Sequence, residues 1–372
     1  WERANWFAER DEEPHDIYTF GQPNWHGAVA REHKAARDAA VLFDQTSFAK
    51  YILTGPDAEQ ALQWIAANRV DKPVGTIIYT QMLNDNGGIE CDLTCVRTKH
   101  TEYYITTGTG YATHDFDWIG RNIPSDLNVQ LVDVTSSNAV LSLFGPKARD
   151  ILELVTTGDV SNTVHPFGFA RQIGIAGCSV LAMRITYVGE LGWELHLPVE
   201  NAQTVYSALI EAGTPLGLRN AGYRAIETLR LEKGYRAWSS DIGPDHTPDE
   251  AGLGWAVKMK SNISFKGRDA VARQREEGIK KIMATFTTDS DIILSGRETI
   301  YRNGNRCGWL SSAGFGHTIG KFIGMGYVRG DDYIDTEFVL SGDYELEVAT
   351  ERVKANVFLK PLYDPKMEKI KT

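Results

Sequence analysis

No stretch of the chain is apolar for the roughly 20 residues a membrane helix needs, and no Lys/Arg cluster forms a stripe suited to nucleic acid. The sequence also lacks GxGxxG between a strand and a helix, a GxxxxGK[ST] loop and HExxH. These absences exclude a dinucleotide fingerprint, a P-loop and a zincin site. "GFGHTIG" at 314–320 comes nearest to the first, but its spacing is wrong and it reads as a turn. Cysteine is scarce: Cys91, Cys95, Cys178 and Cys307 show neither CxxC nor zinc-ligand spacing. They read as core residues and imply a reducing compartment. The nine histidines are scattered without ligand spacing, so no metal site is expected.

What is present is an acidic chain of 372 residues with net charge −10, which argues against polyanionic polymers as partners. The length is too great for one ordinary core and implies two or three domains. Trp1 stands first without a methionine, as expected of a processed, trimmed or longer polypeptide.

One internal repeat organises the first half. "YILTGPDAEQALQWI" at 51–65 and "LSLFGPKARDILELV" at 141–155 each predict a strand, a Gly-Pro turn and a helix with one apolar face. Between them, "TIIYTQMLNDNGGIECDLTCVRTKHTEYYITTG" predicts antiparallel strands turning at Asn84–Gly88. Past that turn Ile89, Cys91, Leu93 and Cys95 share one face, and Glu90, Asp92 and Thr94 the other. A helix is predicted at about 219–233, ending near Gly234. From about 280 the chain is rich in strands and Gly/Asn turns, as a separate β-barrel or sandwich would be, with a boundary near 275.

In "ITYVGELGWELHL" at 185–197, Trp193, Leu195 and Leu197 alternate with Glu194 and His196. Glu194 and Asp92 are thus two acids projecting from strands. Each suits either a solvated face carrying a surface ion pair, or a recognition group: a carboxylate can accept two parallel hydrogen bonds from a planar heterocycle. Tyr187 could wall such a ring.

Taken together, "NDNGGIECDL", "ITYVGELGWEL", "LRLEKGYRAW" and "TPDEAGLGWAVK" resemble the folate-binding aminomethyltransferase family. That family includes the glycine-cleavage T-protein and the C-terminal parts of dimethylglycine and sarcosine dehydrogenases. The wording is nearer the dehydrogenase tails, and "WERANWFAER" resembles the passage joining a flavin oxidase module to such a tail. The resemblance implies an α+β fold of three domains in a ring around a folate cavity. Residues 1–55 with 136–250 would form a discontinuous first folate-binding domain, 56–135 the second and 275–372 a C-terminal β-barrel.

It further implies that Glu194 holds the pterin edge of tetrahydrofolate beside Tyr187. Asp92 would lie near the reacting folate nitrogens as the catalytic acid or base, and Tyr104 would line the cavity. The implied reaction captures an iminium, or formaldehyde, from oxidative demethylation of an N-methyl amino acid as 5,10-methylenetetrahydrofolate. FAD would sit only on a preceding oxidase module, covalently linked or separate, in a bacterial cytoplasm or mitochondrial matrix. A free-standing tetrahydrofolate-dependent demethylase and a non-catalytic folate-binding regulatory module are the alternatives. One departure stands out: the arginine that T-proteins carry in the 219–233 helix falls on Ile226, and Arg224 points to another side. Arg230 and Glu232 suit a solvated helix face with a structural role.

Overall fold

The computed structural model describes residues 1–290 and 292–372. Its body is α+β, with a six-stranded sheet, a five-stranded sheet and a closed six-stranded barrel. The repeat anticipated from the sequence supplies one unit to each sheet. Strand Ala49–Thr54 leads into helix Ala58–Ile65 in the five-stranded sheet, and strand Asn138–Phe144 into helix Ala148–Val155 in the six-stranded one. In both, the glycine between strand and helix has positive φ, +137° at Gly55 and +133° at Gly145. A Cβ on either would lie 2.4 Å from a backbone oxygen, of Asn128 or Ala39. Only glycine permits that conformation and that approach. Each helix begins at an alanine two residues past the proline, so Pro56 and Pro146 belong to the turn and not to the first helical turn.

The five-stranded sheet runs Ile77–Leu83, Ile89–Lys99, Glu102–Thr107, Ala49–Thr54, Gln130–Asp133 in spatial order. It therefore begins at Ala49, inside the 1–55 stretch grouped with the other sheet by sequence. Its outer face packs on the helices through Leu62, Ile65, Cys91, Leu93 and Cys95, the cysteine face read from the alternation. The six-stranded sheet buries Trp193, Leu195 and Leu197 on one side with Ile151 and Leu209. Full burial of a side chain such as Leu195 is worth about 1.5–3 kcal/mol.

Helix Tyr223–Lys233 is the hub of the molecule. Strand Leu218–Asn220 precedes it, so it starts later than predicted, and Gly234 ends it in the left-handed region at φ +67°. Ile226 and Leu229 pack against Val29, Phe43 and Phe144, whereas Leu231 packs against Ile323, Met325 and Tyr327 of the barrel. The barrel begins at Ile279, close to the expected boundary, after helix Arg268–Glu277. No helix among the described residues is long and apolar enough to cross a membrane.

Candidate functional site between the two sheets

Strand register decides which side chains meet between the sheets. In the five-stranded sheet Gln81 pairs with Asp92, Thr94 with Thr106, and Val96 with Tyr104. These residues share one face, because facing partners and residues two apart point the same way. In the six-stranded sheet Glu194 pairs with Ser142 and Met183, opposite in sense to the Trp193 core. Tyr104 joins the two inner faces: its hydroxyl lies 3.1 Å from Nδ1 of His196, with the rings edge-on at 5.4 Å.

Glu194 is only 6 % exposed. The solvated strand face weighed from the sequence is thus corrected: the strand Gly192–Pro198 is covered on both faces, the second by the other sheet. Among the described residues the Glu194 side chain has one polar partner, Nε2 of His196, at 3.4 Å from Oε2. Its second oxygen is left with acceptor capacity inside the molecule. That oxygen is not among the fully enclosed atoms, so a molecule entering beside it can donate to it.

Asp92 lies half-buried at the opposite end of this face, beside a different set of groups. Nε2 of Gln81 donates to its Oδ1 at 2.8 Å. Burial raises its pKa to about 6, although the Tyr79 and Gln81 side chains hydrogen-bond to it and Arg236 lies nearby. Tyr79 in turn stacks on the exposed Trp255 at 5.7 Å. Tyr187 belongs to this group: its ring stacks on Tyr235 at 5.8 Å and its hydroxyl donates to the Arg236 carbonyl at 2.8 Å. The four residues singled out by sequence therefore fall into two clusters, Glu194 with Tyr104 and Asp92 with Tyr187. His196, Gln81, Tyr79 and Arg236 were not foreseen. The alternation that pointed to Glu194 also carried His196, whereas the others come from pairing partners no local pattern reveals.

Two further atoms on the inner face of the five-stranded sheet bear on ligand binding. Among the described residues, Oε1 of Gln81 and Oγ1 of Thr106 are buried without a hydrogen-bond partner. Buried polar atoms are normally satisfied. With the spare oxygen of Glu194 they leave acceptors on both sheets for a ligand that brings donors.

A second polar group lies on the other side of the same strand. Ligand atoms of Cys91, His114 and Asp115 sit within 4.8 Å of one another, a possible metal set that separation in sequence concealed. Asp115 is already partnered there, accepting from Thr107 at 2.5 Å and pairing with His114 at 2.9 Å.

The charges of the hub helix point elsewhere. Arg230 and Glu232 are 2 % and 0 % exposed, so the solvated face expected of them is corrected. Both are held by buried partners, because the barrel and the helix His26–Asp38 cover the face they occupy. Ile226 is buried in an apolar cluster, and Arg224 pairs with Asp16 over the Trp25 ring, away from the sheets.

Residues 1–261 match the GCVT N-terminal domain, and 281–364 the glycine cleavage T-protein C-terminal barrel domain. The chain is 36% identical over 411 residues to mitochondrial sarcosine dehydrogenase of Homo sapiens, covering 100% of this chain and 45% of that protein. It thus spans less than half of that relative. It is 35% identical over 317 residues to an aminomethyltransferase of Halothermothrix orenii, covering 85% of this chain and 87% of the relative. The fold is similar to that of glycine cleavage system aminomethyltransferase T from Bartonella henselae, with TM-score 0.80, 23% identity and 94% of each chain covered. Its two matched domains and its near-complete overlap with the aminomethyltransferase place this chain in the glycine-cleavage T-protein family.

Proposed function

We propose that the chain binds tetrahydrofolate between its two sheets and uses it to capture a one-carbon unit. The observation that carries this reading is Glu194, a buried carboxylate whose one side-chain partner among the described residues is His196, on Oε2. A pterin presents adjacent N–H donors on a flat edge, which two carboxylate oxygens match. Glu194 holds that edge, Tyr104 lines the cavity beside it, and Tyr187 supplies an aromatic wall nearer Asp92.

When bound, tetrahydrofolate supplies the nucleophilic nitrogens and carries away the carbon as 5,10-methylenetetrahydrofolate. Asp92 takes up the proton released as an amine nitrogen attacks, a role suited to a carboxylate with pKa about 6. Gln81 keeps it oriented by donating to one oxygen. The sheet faces exclude water, which would hydrolyse an iminium before transfer. The carbon donor is the iminium, or formaldehyde, left by oxidation of an N-methyl amino acid of the dimethylglycine or sarcosine class. A flavin module, linked or separate, performs that oxidation. The similarity to a sarcosine dehydrogenase more than twice as long supports this division of labour. Four free cysteines suit the bacterial cytoplasm or the mitochondrial matrix.

Calorimetric titration with tetrahydrofolate tests the reading on the wild type, Glu194→Ala and Asp92→Asn. Removing the Glu194 acceptor should weaken binding by about 1.5–3 kcal/mol, whereas Asp92→Asn should retain most of the affinity and lose formaldehyde capture. A folded wild type that does not bind tetrahydrofolate would sink the proposal.

A further inference from the structure

His196 stands between a donor and an acceptor, and that position fixes its chemistry. On one side is the Tyr104 hydroxyl, 3.1 Å from Nδ1; on the other is Oε2 of Glu194, 3.4 Å from Nε2. The His196 and Glu194 side chains are 2% and 7% exposed. Burial and the nearby Glu194 charge push the Tyr104 phenol above its ordinary pKa, so it keeps its proton. Among the described residues that hydroxyl has no other hydrogen-bond partner than Nδ1. A phenol can donate or accept, so the other ring nitrogen decides: Nε2 faces a carboxylate oxygen that offers no proton, an imidazole carrying one proton keeps it there, and Nδ1 is left to accept from the phenol. The imidazole proton then resides on Nε2, facing a carboxylate that can only accept.

We propose that His196 is a positioning residue for Glu194: Tyr104, from the opposite sheet, donates to Nδ1, and the Nε2–H tethers one carboxylate oxygen so that the other is presented to the ligand. The inference rests on the reading of Glu194 as the pterin anchor. It explains how a carboxylate on one sheet is held in register with residues of the other sheet. A side chain with several free torsions would otherwise lose entropy on binding, and pre-orientation removes that cost. Glu194 and His196 are two residues apart on one strand face, so they move together, and the Tyr104 contact ties both to the five-stranded sheet.

The test uses the full chain and tetrahydrofolate. His196→Gln can place an amide N–H near Nε2 and so keep the tether; His196→Asn places its amide near Nδ1 and loses it; His196→Leu loses both. Binding should weaken about tenfold in the Leu and Asn variants and return to within about threefold of wild type in Gln. Tyr104→Phe should weaken the wild type and add nothing to His196→Leu. Nitrogen NMR of the wild type should place the His196 proton on Nε2, a measurement independent of any variant's folding. Equal affinities of the Gln and Leu variants, or a proton on Nδ1, would overturn the proposal. If Glu194→Ala binds as wild type, the pterin-anchor reading itself fails. If Glu194→Ala binds weakly and His196→Leu normally, only the positioning role fails.

Discussion

Nη1 of Arg230 lies 2.7 Å from Oδ2 of Asp241, and the two side chains are 2% and 0% exposed. The pair locks the hub helix to the segment that follows it and, through Ser311 and Ser312 hydroxyls donating to Oδ1 of Asp241, to the barrel. Arg230→Ala would leave Asp241 buried without its cation. Breaking one partner of such a pair costs about 3–5 kcal/mol. Urea unfolding should register that loss, and the barrel should loosen first in hydrogen exchange. A variant as stable as wild type would show that the pair contributes nothing.

Glu232, one helical residue pair further on, predicts an acid-sensitive joint. Burial alone would raise its pKa, but the hydrogen bonds from His33 and Arg37 and the Arg37 charge overrule burial and hold it at about 2, against an ordinary 4.5. Its Oε1 also accepts from the backbone N–H groups of Thr318 and Ile319 in the barrel. A depressed carboxylate contributes stability above its unfolded pKa and loses it as pH falls toward the folded value. The contribution, on the order of 3 kcal/mol, should therefore be complete above about pH 4.5 and fade toward about pH 2. Glu232→Gln should be clearly less stable at neutral pH, with the gap narrowing in acid. A gap constant across that window would rule the ionisation out as its cause.

The sequence made the repeat legible because a Gly-Pro step between an apolar strand and an apolar-faced helix is a local signal, repeated. The same holds for the Cys91–Cys95 face and the barrel boundary. Glu194 stood out because alternation is also local. Its burial did not, since a period of two says which residues share a face and not what covers that face. For Arg230 and Glu232 the structural role was legible but their burial was not: helix charges usually meet water, and only the barrel and the helix His26–Asp38, far away in sequence, remove it. Gln81 and Tyr79 reach Asp92 through strand pairing, which one sequence does not display.

The paired glycines give a sharper test of the repeat than the helices do. Gly55→Ala and Gly145→Ala each place a Cβ 2.4 Å from a backbone oxygen at a strained positive φ. Neither the Asn128 nor the Ala39 oxygen is a flexible side-chain end, so each substitution should cost at least about 1–3 kcal/mol. Thermal melts of the two variants should show similar losses, because the two turns are built alike. A near-neutral Gly55→Ala beside a damaging Gly145→Ala would mean that the two turns are alike in sequence but not in constraint.

Asp92 makes the most direct prediction about the site. Its folded pKa of about 6 lies above the ordinary 3.8, chiefly because burial penalises the charged form. Folding therefore favours the protonated acid. Stability should fall as pH rises from about 4 to about 6 and level off above, the cost approaching about 3 kcal/mol. Asp92→Asn keeps the shape and an acceptor for the Gln81 amide but cannot ionise. It should match the wild type below about pH 4, exceed it in stability above about pH 6, and lose one-carbon capture. On the proposed role of Asp92 as the base, wild-type capture should rise with pH through about 6 while stability falls. Those opposite slopes, read from urea unfolding and from formaldehyde capture on the same preparation, assign both effects to one carboxylate. Parallel slopes, or a pH-dependent stability that survives in Asp92→Asn, would place the titrating group elsewhere.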